Sequence, residues 1–177
     1  FVEWKNKKGI PTDIVGLNSV GTTANDIQNY VNSYYSQNGL TYLLLVGDIN
    51  QMPTHIVSGS ASDPTFGFIE GNDAFSEIIV GRFSANNPSE LITQVERTLQ
   101  YEQDPSANVD HFNQALGVAS TQGPGYGGLT DAQFNDLLWN DFLSAFTYTD
   151  YTGLYDGSGS VSQGVAAINE GVGVINY

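Results

Sequence analysis

Between Asp63 and Glu77 the chain reads Asp-Pro-Thr-Phe-Gly-Phe-Ile-Glu-Gly-Asn-Asp-Ala-Phe-Ser-Glu. Asp73 and Glu77 flank Phe75 at spacings of two, so a loop can aim both carboxylates and the Phe75 carbonyl at one point. Hard oxygen donors of this kind suit calcium, which takes about six to eight of them. Asp63 and Glu70 can complete such a shell, although the periodic Asp/Asn ligands of an EF-hand are missing. A set of solvated loop acids explains the same residues. Asp48 follows an apolar run through Gly47, a place where α/β proteins often put a catalytic or metal-binding acid. A cap or turn aspartate is the alternative there.

Asp131 opens an expected helix after a Gly-rich loop, Gln122 to Leu129. The loop has no Walker lysine and lies in a strongly negative chain, so a phosphate cradle is discounted. An acid in a strand-end pocket can instead take a guanidinium or ammonium group of a substrate. An acid favoured by the first helical turn explains Asp131 equally well. No Gly-x-Ser-x-Gly elbow occurs and there is no cysteine, so these residues hold no Ser or Cys triad. His55 and His111 read as structural or incidental.

Composition narrows the partners. The 177 residues carry 19 acids and 5 bases, a net charge of −14. Three of the bases, Lys5, Lys7 and Lys8, sit in the first eight residues, so the rest of the chain is more acidic still. That field repels nucleic acid and anionic membrane and favours cations and cationic peptides. Zero cysteines exclude disulfides, thiolate zinc and iron–sulfur clusters here. No apolar run is long enough to span a membrane.

These residues must be held by alternating helices and strands. Phe1 to Lys8 reads as a helix end closed by Gly9, so the chain is expected to begin inside an element. Thr12 to Leu17 reads as a short strand. Thr23 with Asp26 forms a capping box for a helix whose apolar face is Ile27, Tyr30, Val31, Tyr34 and Tyr35, ended by Gly39. Thr41 to Val46 reads as a buried strand, and residues 49 to 77 as one long irregular loop. Glu77 to Phe83 is the next strand. Asn87-Pro88-Ser89-Glu90 starts a helix with Ile92, Val95 and Leu99 inward.

Asp104 to Asp110 is the expected linker. Beyond it come a strand over Gln114–Ser120 and a helix capped by Thr130 with Phe134, Leu137, Leu138, Phe142 and Ala145 inward. A strand over Tyr148–Tyr155, a helix capped by Ser160 and ended by Gly171, and a strand over Val172–Tyr177 follow. The fold class is α/β, a mostly parallel open sheet with flanking helices and right-handed crossovers. The segments 1–104 and 111–177 form either two subdomains or one continuous sheet. The chain stops at a strand's C-terminal end, where open α/β sheets bind ligands, so a cut there is expected.

Several stretches together resemble the gingipain family of cysteine endopeptidases. They are Leu43-Leu44-Leu45-Val46-Gly47-Asp48, Met52-Pro53, Ser62-Asp63-Pro64-Thr65-Phe66-Gly67, Gly71-Asn72-Asp73 and Glu77-Ile78-Ile79-Val80-Gly81-Arg82-Phe83-Ser84. Gln94 to Thr98, Trp4-Lys5-Asn6, Gln114 to Ser120 and Gly173 to Tyr177 continue the likeness in order. The resemblance implies a caspase-like fold in two subdomains, a first over 1–104 with a calcium loop and an incomplete second over 111–177. It implies a secreted or cell-surface endopeptidase acting on peptide or protein substrates, after basic residues. It places the catalytic His and Cys beyond Tyr177, so the rest of the catalytic domain is a required partner and this chain alone is inactive.

The resemblance also assigns residues. Asp73, Phe75 through its carbonyl, and Glu77 match the family's structural calcium segment, with Asp63 as a fourth ligand. Asp131 falls near the acid that selects a basic side chain. The loop before it is shorter than in Arg- and Lys-specific relatives, and Gln122 stands where some of them carry an acid. The rival readings are a non-catalytic caspase-like scaffold binding calcium or protein, a secretion-linked sortase of the same family, and an acidic α/β hydrolase or phosphatase using Asp48 with Asp73 and a metal.

Overall fold

The computed structural model describes residues 1–73, 75–104 and 110–177. Two compact units divide the chain, Phe1–Asp104 and Pro105–Tyr177. The linker expected over Asp104–Asp110 falls on residues 105–109, outside the described residues.

The first unit is built around a parallel strand pair, β1 (Tyr42–Val46) and β4 (Ile79–Phe83), in register from Tyr42 opposite Ile79 to Val46 opposite Phe83. Alternate side chains of a strand face opposite sides. Leu43, Leu45 and Val80 accordingly face the core with Ile27, Val31, Phe66 and Ile78. Ile27 and Val31 come from α3 (Ala24–Asn38), which starts at the capping box read from Thr23 and Asp26 and ends at Gly39. Phe66 is fully buried, and a side chain of that size contributes about 2–3 kcal/mol by leaving water.

Three expectations for this unit need correction. Thr12–Leu17 is not a strand. The Asn6 side chain donates to the Thr12 carbonyl and accepts from the Thr12 N–H, taking the two groups a ladder would use. The apolar end of that stretch instead forms α2 (Leu17–Val20), with Leu17 and Val20 packed on the core. Residues 49–77 are not one irregular loop. They contain a hairpin, β2 (His55–Val57) against β3 (Ser60–Ser62), and a 3₁₀ turn over Asp63–Gly67 that delivers Phe66 to the core. The hairpin closes on Ser58-Gly59, both at positive φ, the geometry of a two-residue turn where glycine is favoured.

The third correction concerns α4 (Pro88–Gln103), capped as read by Asn87. Its sheltered residues include Leu91, Gln94, Val95, Thr98 and Leu99, whereas Ile92 is exposed. Glu102 near its end bonds to Trp4, Lys5 and Lys8, tying it to α1 (Val2–Lys7).

The second unit is a three-stranded parallel sheet in the order β6-β5-β7, with β5 (Gln114–Ala119) central, β6 (Asp150–Tyr155) and β7 (Val174–Asn176) at its sides. Helix α5 (Asp131–Leu137) connects β5 to β6 and α6 (Val161–Glu170) connects β6 to β7. Ala115, Leu116, Ala132 and Leu154 are its buried apolar residues. After Leu137 the backbone widens into a π turn over Leu138–Phe142. A wider turn shifts the helical phase. Trp139 and Leu143 are therefore partly sheltered while Phe142 and Ala145, expected inward, are exposed.

Candidate functional site

All three strands of the second unit run parallel, so their C-terminal ends share one edge. At that edge β5 passes into Ser120, Thr121 and Gln122, crosses the Gly-rich loop and returns at Thr130. The Thr130 side chain accepts from the Gln133 N–H while Gln133 bonds back to the Thr130 N–H, a complete capping box that fixes the start of α5. Asp131 is thereby set beside the end of β5. The Ser120 hydroxyl donates to Asp131 Oδ2 at 2.6 Å. The Asp131 N–H bonds to the Gln122 carbonyl and the Ala132 N–H to the Ser120 carbonyl, each at 3.0 Å.

Asp131 is exposed, and no described residue donates to its Oδ1. Ser120 thus pins one carboxylate oxygen and leaves the other without a donor among the described residues, an arrangement that can receive a guanidinium or ammonium group. A second acid, Asp156, stands just past β6 and accepts from the Thr121 N–H at 3.3 Å. Neither the Ser120 partner of Asp131 nor Asp156 follows from spacing in the sequence. An acid directly after a strand is the signal already used for Asp48, and applied to Tyr155-Asp156 it finds the second one.

The acids of the first unit are arranged differently. Glu77 Oε2 accepts from the N–H groups of Ile69 at 2.7 Å and Glu70 at 3.1 Å, bonds that hold its carboxyl below the usual range. Asp73 Oδ1 accepts from the Phe75 N–H at 3.0 Å. Asp63 faces Arg82 with both oxygens, at 2.7 Å to Nε and 2.7 Å to Nη2, and this pairing depresses its pKa. Among the described residues no three His, Asp or Glu side chains stand close enough to hold a metal ion. The oxygen donors of Asp73, Glu77 and the Phe75 carbonyl match a hard cation in kind. Both oxygens of Asp63 are already engaged by Arg82.

Asp48 is a turn aspartate. It accepts from Ser84 at 3.0 Å, and the Ile49 N–H is the main cause of its lowered pKa. His55 bonds to Gln28 at 3.2 Å and lies against Phe66. His111 packs on Phe112. Both histidines have structural surroundings.

The sequence model of peptidase family C25 matches residues 1–177. Gingipain R2 of Porphyromonas gingivalis is 36% identical over 183 residues, an alignment that takes in all of this chain and 25% of that protein. Gingipain R1 of the same organism matches at 36% over 18% of its length. Among solved structures, the chain is similar to the Arg-specific cysteine proteinase gingipain R (RgpB) at a TM-score of 0.82 and 35% identity, over 99% of this chain and 42% of that one. It is similar at the same TM-score to the complex of the P. gingivalis RgpB pro- and mature domains. The chain therefore spans about a quarter or less of the length of these curated relatives.

Proposed function

The chain belongs to peptidase family C25, and on that premise we propose that it is part of the catalytic domain of a cysteine endopeptidase cleaving after basic residues. The observation that carries the basic preference is exposed Asp131, held at the sheet edge by the Ser120 hydroxyl with its other oxygen free of any described donor. A substrate Arg or Lys side chain entering there exchanges water for a charge-assisted hydrogen bond, stronger than a neutral one. The net charge of −14 draws cationic peptides toward the chain as a whole. The nucleophile comes from outside these 177 residues, which contain no cysteine.

The same reading extends to the protein's surroundings. Its substrates are peptides or proteins, its working partner is the remainder of the catalytic domain, and it acts in secreted form or at the cell surface. A pro-segment is a further partner, by analogy with the complex described for RgpB. No described helix is long and apolar enough to cross a membrane. Calcium is proposed as a structural ion of the first unit, held by Asp73, Glu77 and the Phe75 carbonyl, with Asp63 in reserve. Its charge would gather the acidic loop into one conformation.

The test is cleavage of peptide amides differing only in the residue before the scissile bond, by the peptidase that carries this chain. The expected result is iodoacetamide-sensitive turnover, fastest with Arg or Lys in that position. Turnover indifferent to thiol alkylation, or equal with neutral residues, contradicts the proposal.

A further inference from the structure

Asp131 lies in the first turn of α5, so whatever fixes that helix fixes its carboxylate. Five residues on, Asp136 is tied to β6, where the Tyr155 hydroxyl donates to Asp136 Oδ1 at 2.6 Å. A tyrosine hydroxyl has one proton, and Tyr155 spends it on Asp136. The Tyr151 hydroxyl, which meets the Tyr155 oxygen, must then be the donor in that pair. The result is a directed chain, Tyr151 to Tyr155 to Asp136, running from β6 to α5.

The two rings occupy space left by facing glycines. Gly117 of β5 and Gly153 of β6 are direct partners in the sheet. A Cβ at Gly117 would run into the Tyr151 hydroxyl and the Asn135 side chain, and one at Gly153 would lie 2.9 Å from the Tyr155 ring. Trp139, in the π turn after α5, stacks on Tyr151 at 5.1 Å and 12°. Burial raises the pKa of both tyrosines, and Asp136 adds to the rise at Tyr155, so both remain protonated donors. Neither tyrosine bonds to Asp131 or Ser120 in the described contacts. Their influence on the sheet edge passes through α5.

We infer that Tyr155 is a positioning residue for recognition of the basic side chain, setting through Asp136 where α5 holds Asp131 over the end of β5. The inference rests on the peptidase reading above. A displacement of about 1 Å in such a group is enough to lower reactivity with the substrates that use it. Substrates with a neutral residue before the scissile bond do not use Asp131 and set the baseline.

The experiment measures kcat/KM for Arg and for neutral substrates in the peptidase carrying this chain, with Asp131→Asn, Tyr155→Phe, Asp136→Ala and Asp136→Asn. Tyr155→Phe and Asp136→Ala are expected to lower the Arg-to-neutral ratio about tenfold, through KM. Asp136→Asn, which keeps an acceptor oxygen, restores most of it. Loss in Asp136→Asn equal to that in Asp136→Ala assigns the effect to the charge and overturns the positioning role. If Asp131→Asn removes the Arg preference while Tyr155→Phe leaves it intact, the inference fails and the peptidase reading stands. If Asp131→Asn changes nothing, the reading of Asp131 itself fails. Amide exchange at Ala132, whose N–H bonds to Ser120, needs no turnover. It should quicken in Tyr155→Phe with exchange in β5 unchanged, and unaltered exchange at Ala132 overturns the inference.

Discussion

Arg82 donates from Nε and Nη2 to Asp63 and from Nη1 to the carbonyls of Gly47 and Met52, at 2.7 to 2.9 Å. One side chain therefore joins β4, the turn after β1 and the 3₁₀ turn that carries Phe66. Lysine has the charge but not the planar fork, and it cannot serve all four acceptors in this geometry. Arg82→Lys should destabilise the fold by about 2–4 kcal/mol, read from urea unfolding, because it leaves a partly buried carboxylate poorly paired. A change under about 0.5 kcal/mol, the scale of an ordinary surface substitution, contradicts this. The pairing depresses the Asp63 pKa. Its contribution is present above the unfolded carboxyl pKa and lost as pH falls through the folded one. At this scale the sequence was read well where partners are close, as at Thr23 and Asp26. The Arg82 partner of Asp63, 19 residues away, is not visible in the sequence. The same holds for Asn135 of α5, a buried polar residue that accepts from Asn176 of β7.

Elements were legible wherever their ends carry chemistry. Asn87, Thr130 and Ser160 each accept from the expected backbone N–H, so three helix starts were fixed by residue type. What misled was continuity. A π turn inside an apolar helical pattern moves Phe142 outward without changing the pattern itself. The short α1 is held to α4 by Glu102, whose carboxylate takes donors from Lys5, Lys8 and Trp4. Those bonds, from Lys5 first and Lys8 next, lower its pKa from 4.5 to about 2. The folded value is the depressed one, so this stabilisation is full above about pH 4.5 and fades as pH falls toward 2. Glu102→Gln should remove about 1 kcal/mol at neutral pH, allowing for solvent screening, and flatten the acid limb of the stability curve. An unchanged acid limb in Glu102→Gln contradicts it. For the acidic loop, millimolar calcium should raise the Tm of the chain, and Asp73→Ala with Glu77→Ala should abolish the rise. No rise, or an equal rise in the double variant, removes the calcium proposal.

Two compact units divide one acidic chain of 177 residues. Alternation of helix and strand pointed to the α/β class, and the structural likeness to gingipain R supports it over 99% of the chain. The edge carrying Asp131 followed from placing a helix start after a strand, whereas Ser120, Tyr155 and Asp136 around it needed three-dimensional contacts. A chain without cysteine has no thiol nucleophile, so the 177 residues alone should show no thiol-dependent peptidase activity. Iodoacetamide-sensitive cleavage by purified material of this length would contradict that. The most direct measurement of the central claim is the cleavage profile of the peptidase carrying this chain, before and after Asp131→Asn, across substrates with Arg, Lys or a neutral residue at the scissile bond. The account predicts a strong basic preference that collapses in the variant while cleavage of neutral substrates persists. A profile that ignores Asp131 would contradict it.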